Sequence, residues 1–311
     1  MTVRDLPVGY YGAVMGLVGL GLATRAAAPL FPGVVRAPAY FTEPWVALGV
    51  LLFLVLVPGY VLKVLKYPKT VKEDFTNPLL LGFCGALPVG MALVAGGLAP
   101  YFPPLGSLLW WIAFVLLLAF QAWAVVRIVR GGIALAQVNA GWLILLVGGI
   151  VLPGPGVTLG HAEASRIVFV ISSAAALVLV PLLLYRASAA PPLPAVLSPS
   201  WFILLVPPSL IYANGIRLYP QATGLEYLYF VALAFAAGLF YYARASWRWP
   251  YGPPWWAFTF PLDALAYAAA RFAQDHPGTL SKAVAGITLG AATVVVTAVL
   301  LRWLFSMLRR V

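Results

Sequence analysis

Along this chain, apolar residues gather into ten long runs separated by short polar connections. The runs fall at about 8–23, 44–66, 77–98, 106–127, 136–153, 163–185, 199–215, 225–244, 255–272 and 280–305. A membrane-spanning helix takes roughly 20 predominantly apolar residues. Only helices and closed barrels satisfy their backbone groups in lipid. The runs are continuous rather than alternating, so they predict helices. Ten spans use up residues 1–311 as a single transmembrane domain of five helical hairpins, an all-α integral membrane protein.

The odd-numbered spans differ in texture from the even-numbered ones. The first carries Gly9, Gly12, Gly16, Gly19 and Gly21, and the third carries Gly82, Gly85, Gly90, Gly96 and Gly97 with Pro88. The fifth has Gly141, Gly148 and Gly149 before Pro153, the seventh Pro207-Pro208 and the ninth Pro261. The even spans, such as Leu48 to Leu65 and Ile167 to Leu184, are mostly Leu, Val and Ala, apart from Pro58 and Pro181. Four odd spans open after a proline (Pro7, Pro78, Pro199, Pro254), and three place tryptophan just inside (Trp142, Trp201, Trp255-Trp256). Small residues let helix backbones approach closely. We therefore expect five repeats of one hairpin, with the odd helices inside and the even helices facing lipid. Close packing alone is the plainer use of the same residues. The Pro-rich stretch from Ala190 to Pro199 reads as a loop.

Composition agrees with a bilayer protein: charged residues are 9%, hydrophobic residues 63% and mean hydropathy is +0.98, too little charge to cover a soluble surface. The net charge of +11 does not point to nucleic acid, because the basic residues are scattered at span ends rather than clustered. Thirteen of them share the side of both termini: Arg4, Lys63, Lys66, Lys69, Lys72, Arg127, Arg130, Arg186, Arg244, Arg248, Arg302, Arg309 and Arg310. The other side holds six: Arg25, Arg36, Arg166, Arg217, Arg271 and Lys282. Positive charge marks the cytoplasmic face, so both termini are expected in the cytoplasm and the protein in an inner or plasma membrane. The glycines of the first run are the wrong texture for a cleaved leader, and control through a long terminal tail is not expected. The lone Cys84 lies in an apolar run and forms no intramolecular disulfide.

Candidate chemistry is sparse. No GxxxxGK[ST] cradle for a nucleotide occurs, and the only histidines, His161 and His276, sit in separate loops. No metal, no cofactor and no enzymatic activity are expected. One ionisable residue falls inside a span, Asp263 in the ninth. An acid at a helix centre costs about 2.5–3.5 kcal/mol on insertion scales, so it should face protein or water. Trp256, Phe260, Asp263 and Tyr267 run along one helical face, and Pro261 removes an N–H, freeing the carbonyl of Ala257. A bent helix with Phe260 at the bend suits a steric plug, although on this spacing alone ordinary aromatic packing is the preferred reading.

Pro253-Pro254-Trp255-Trp256-Ala257-Phe258-Thr259-Phe260-Pro261 resembles the ninth helix of the tellurite-resistance/dicarboxylate transporter family, which takes in bacterial TehA and the slow anion channels of plant guard cells. Glu73-Asp74-Phe75-Thr76-Asn77-Pro78 is similar to the acidic-Phe-x-His-Pro opening of its third helix, with Asn77 in place of His. Gly9-Tyr10-Tyr11-Gly12 with Met15-Gly16 resembles its first helix, and Pro199-Ser200-Trp201 with Pro207 its seventh. The resemblance covers the whole chain. It implies ten helices around a central pore, a homotrimer with one pore per subunit, and a gating phenylalanine at Phe260. Asp263 departs from what a generic anion pore needs.

The expected function is a passive channel for small inorganic anions, with membrane lipid, anions and two further copies of itself as partners. Candidate pore-lining or helix-bending residues are Gly12, Gly16, Gly85, Pro88, Gly148, Pro207, Pro261 and Asp263. Lys69, Lys72, Arg217 and Arg271 near the mouths would raise local anion concentration, or serve only as topology signals. The alternative is a proton-coupled carrier of C4-dicarboxylates or other small organic anions, with Asp263 as proton site. A membrane scaffold or sensor without flux is a third reading.

Overall fold

The computed structural model describes residues 3–33 and 38–308. Among these the chain is almost wholly helical and has no strand, as expected of a helical membrane protein. Arg36, Arg309 and Arg310 of the charge count lie outside the described residues. The α-helices in chain order are α1 (Tyr11–Ala27), α2 (Pro38–Lys66), α3 (Pro68–Thr76), α4 (Pro78–Leu81), α5 (Ala86–Leu98), α6 (Pro103–Val129) and α7 (Gly141–Leu146). They continue with α8 (Pro153–Thr158), α9 (Ala162–Ala189), α10 (Val206–Leu218), α11 (Glu226–Tyr242), α12 (Thr259–Asp275) and α13 (Thr279–Leu308).

The lipid-side helices α2, α6, α9 and α13 are long and unbroken, 27 to 30 residues each. Pro103 starts α6, a position where the missing proline N–H has no intrahelical partner to lose. The inner segments are built differently. A 3₁₀ stretch precedes α-helix in each: Val8–Tyr10 before α1, Gly82–Gly85 before α5, Gly148–Ile150 before α8, Ala195–Leu205 before α10 and Pro253–Phe258 before α12. Proline lies in the first turn of the α part in four of them, at Pro88, Pro153, Pro207-Pro208 and Pro261. The first N–H groups of an α-helix have no partner within the helix, so the prolines fix where the tighter helix gives way to α.

Eight helical segments among the described residues are long and apolar enough to cross a bilayer. The other two expected spans are the fifth and the ninth. The fifth is interrupted around Val147 and sits further along than its apolar run suggests: its first α turn begins at Gly141, and it continues past Pro153 to Thr158. Pro153 opens α8 rather than closing a helix, which explains the shift. The ninth includes Asp263, Arg271 and Asp275. The stretch expected as a loop up to Pro199 is already helical from Ala195.

The expected division between inner and outer helices is visible in burial. Buried residues make up 67%, 83% and 78% of the first, third and seventh spans, but only 17–33% of the even-numbered spans. Val55, Leu177 and Ile287 on α2, α9 and α13 stand exposed, as lipid-facing side chains do. The inner segments close a ring. α1 packs on α5, α5 on α8, α8 on α10, α10 on α12 and α12 back on α1. The 3₁₀ halves close a second ring of the same order, through α7 in the fifth segment. Tyr10 and Trp303 have ring centroids 6.2 Å apart, so the described chain ends share one end of the ring.

Glycine makes the ring tight where backbones meet. A Cβ on Gly16 would lie 2.6 Å from Thr259 Cβ, and one on Gly85 would lie 2.6 Å from the Cα of Leu145. Gly290 on α13 has open space instead. Gly16→Ala is expected to destabilise the fold by about 1–3 kcal/mol through overpacking. Gly290→Ala is expected to be neutral or to stabilise by up to about 1 kcal/mol through helix propensity. Thermal unfolding of both variants in the same detergent checks the pair: Gly16→Ala should melt lower than the parent chain and Gly290→Ala should not.

Candidate functional site

Two cavities lie along the axis of the ring. The inner cavity, at the end of the chain termini, measures about 180 Å³ and is lined by Gly12, Met15, Val89, Gly148, Ala257 and Pro261 among others. The outer cavity, at the opposite end, measures about 320 Å³ and is lined by Arg25, Asn214, Arg217, Asp263, Tyr267 and Arg271 among others. Only Val151 and Phe260 line both. These two buried side chains form the partition between the cavities.

Phe260 owes its place to α1. A Cβ on Gly19 would come within 2.9 Å of both Phe260 Cδ2 and Asp263 Oδ2, so the bare backbone there accommodates the ring and the carboxylate together. Gly12, Gly16 and Gly19 follow one face of α1 and oppose Trp256, Thr259 and Phe260 in turn. The Thr259 hydroxyl donates to the Trp256 carbonyl at 2.7 Å, tying the end of the 3₁₀ stretch to the start of α12. Pro261 is third in α12. The change from 3₁₀ to α-helix falls two residues before it.

The other candidate residues divide between lining and packing. Gly12, Gly148 and Pro261 line the inner cavity, while Asp263 lines the outer. Gly16 faces Thr259, and Gly85 lies against the backbone of Ile144 and Leu145. Pro88 and Pro207 are buried near the starts of α5 and α10. Arg217 and Arg271 line the outer cavity, whereas Lys69 and Lys72 are exposed on α3 and line neither. Among the described residues, no three His, Cys, Asp or Glu side chains come together.

The electrostatics of the two cavities are opposed. The inner one is almost wholly apolar, with Asp74 at its edge. That carboxylate is held 2.6 Å from the buried Lys63 ammonium, which also donates to the Leu6 carbonyl at 2.9 Å. Lys63 is 2% exposed, so a residue that reads as a topology signal is a buried tie between α2, α3 and the N-terminal segment. Asn77, in place of the expected histidine, caps α4 by accepting from the Leu79 N–H at 3.0 Å. The outer cavity has three arginines. Arg25 pairs with Glu43 at 3.1 Å, and Arg217 donates to the Gly154 carbonyl at 3.1 Å and meets the Tyr267 hydroxyl at 3.4 Å. Asp263 is 1% exposed, and neither of its carboxylate oxygens has a hydrogen-bond partner among the described residues.

Val151 was not among the residues picked from sequence. An Ile150-Val151-Leu152 run carries no signal that distinguishes the middle residue, and only its place in the lining of both cavities singles it out.

The chain is 26% identical over 260 residues to the S-type anion channel SLAH2 of Arabidopsis thaliana, covering 82% of this chain and 50% of that one. It is 26% identical over 298 residues to the guard cell S-type anion channel SLAC1 of the same plant, covering 90% and 52%. An uncharacterized transporter of Methanocaldococcus jannaschii, MJ0762, is 25% identical over 295 residues, covering 84% and 82%. The chain thus spans about half the length of the plant relatives. Residues 5–306 match the family described as SLAC1, voltage-dependent anion channel, and with nearly its whole length matched the chain belongs to that family.

Proposed function

We propose that this protein is a passive anion channel, not an enzyme, whose conduction path is the axis of the inner helical ring and whose closed gate is Phe260. The observation that carries this reading is the pair of cavities that meet only at Phe260 and Val151. The named plant relatives are S-type anion channels, which supports anions as the cargo. The three arginines of the outer cavity concentrate anions at that end. The inner cavity offers no cationic lining, so selectivity among small inorganic anions follows the cost of stripping water. The protein works in an inner or plasma membrane as a homotrimer, with one path per subunit, both termini in the cytoplasm and no cofactor. The exposed apolar faces of the outer helices serve lipid and subunit contacts. The carboxylate of Asp263, buried without a partner, favours a second reading, a proton-coupled carrier of small organic anions.

Phe260→Ala is expected to raise anion conductance severalfold in planar bilayers, because truncation opens the partition. A correctly folded variant with unchanged conductance would overturn the gate. Arg217→Gln is expected to lower conductance in dilute salt, with the difference shrinking as salt rises and screens the surviving charges. Mass measurement in nanodiscs should give three copies per particle, and a stable monomer or dimer would remove the trimer. Asp263→Asn should leave passive flux in place, whereas the carrier reading requires it to abolish uphill, proton-driven accumulation.

A further inference from the structure

We infer that the inner cavity is a binding site for one small, uncharged aromatic molecule of single-ring size, such as a halobenzene. The site stands on the lining of the cavity alone. Its consequence, block of anion flow by the occupant, rests on the reading of the ring axis as the path.

Three observations converge. First, the lining side chains offer almost nothing that water or an ion could bind. Asp74 and Trp256 alone among them carry an oxygen or a nitrogen. The Asp74 carboxylate is already held by the Lys63 ammonium at 2.6 Å, and the Trp256 indole N–H is buried without an acceptor. A buried water needs roughly two to four polar partners, so the body of the cavity favours an apolar occupant. Second, the size fits. The cavity measures about 180 Å³. An engineered cavity of about 150 Å³ lined by Leu, Ile and Phe stays dry and takes up benzene or xenon. Glycine helps to keep this space open: outside its own helix, a Cβ on Gly12 would meet only Trp256 Cβ, at 3.4 Å. Third, the walls suit a flat ring. Phe83, Trp256 and Phe260 line the cavity and offer the faces and edges that aromatic pairs use. The Met15 thioether adds a polarisable contact to a ring.

Charge narrows the ligand further. Among the described residues, no lysine, arginine or histidine lines the inner cavity. An aromatic carboxylate or sulfonate would give up its water there and gain no counter-charge, which is costly. An amine fares no better, because Lys63 already occupies Asp74. The outer cavity is the opposite case, with Arg25, Arg217, Arg271 and Asp263 in its lining. A neutral arene therefore belongs on one side of Phe260 only. Seated there, it fills the axis between the end of the chain termini and the partition of Phe260 and Val151.

Crystals of the protein soaked in iodobenzene locate the ring through the anomalous scattering of iodine. The expected result is one strong iodine peak among Met15, Val89 and Ala257, and none in the outer cavity. Ala257→Leu, which puts a larger side chain into the same space, should lose the peak. Iodine found only against the lipid-facing helices, or elongated lipid density filling the cavity instead, overturns the site. The wild-type crystals decide this even if the variant fails to fold. Bilayer recordings with chlorobenzene then separate the site from the path. Anion current through the wild-type chain should fall severalfold and recover on washing, while the current of Ala257→Leu, whatever its starting size, should not respond. An equal fall in both proteins overturns block from this site. A peak in the cavity with unchanged wild-type current leaves the site standing and removes the axis as the path. A missing peak removes the site and leaves the path untouched.

Discussion

The close approach of α1 to α12 is the constraint on which the rest of the molecule depends. Glycines at 12, 16 and 19 let the backbone of α1 lie directly against the side chains of Trp256, Thr259, Phe260 and Asp263. Small-residue contacts of this kind give membrane helices their packing when lipid offers no hydrophobic drive. This contact closes the ring of five, and the same seam seats Phe260 between the cavities and leaves Asp263 almost wholly buried beside the outer one. The seat of Phe260 and the burial of the acid thus both follow from one line of missing side chains. A larger residue at Gly19 would have to displace the phenyl ring or the carboxylate first.

The outer helices and the inner segments divide two tasks that lipid imposes. Long α-helices satisfy nearly all their interior backbone groups internally, apart from the carbonyls freed by prolines such as Pro58 and Pro181, and these helices face the acyl chains. A 3₁₀ stretch leading into α-helix, often with proline in the first α turn, leaves backbone groups less regularly paired, and this arrangement recurs in the inner segments that the outer layer shields. Such irregular backbone is tolerated at membrane depth where it is buried in protein or faces a water-filled space. The two-layer architecture makes an irregular lining compatible with a bilayer.

Much of this was legible in the sequence, because the requirements of lipid are written in composition. The alternation of Gly/Pro-rich and Leu/Val-rich runs anticipated which helices lie inside, since only small residues permit the observed approach. Phe260 was legible through a local motif, and its spacing alone left ordinary packing open. Val151 was invisible, because a partition needs two sides and the second comes from a distant segment. The fifth span was misplaced, since Pro153 was read as an end although proline is equally at home at a helix start. Lys63 reads as a topology charge because sequence shows a charge and not its partner, and its partners are the Leu6 carbonyl and Asp74. Asp263 stood out as an acid inside a span, but its want of any donor is a property of its neighbours.

The change of helix type just before Phe260 has a mechanical consequence. The 3₁₀ stretch Pro253–Phe258 ends two residues short of the ring that divides the cavities. A 3₁₀ helix advances about 2.0 Å and 120° per residue, and an α-helix about 1.5 Å and 100°. Each residue transferred across that boundary therefore turns the phenyl ring by about 20° and shifts it by about 0.5 Å. In geometry the boundary is a screw thread of fine pitch: re-indexing the inner helix would turn a bulky side chain through a small arc without any change in the length of α13 outside it.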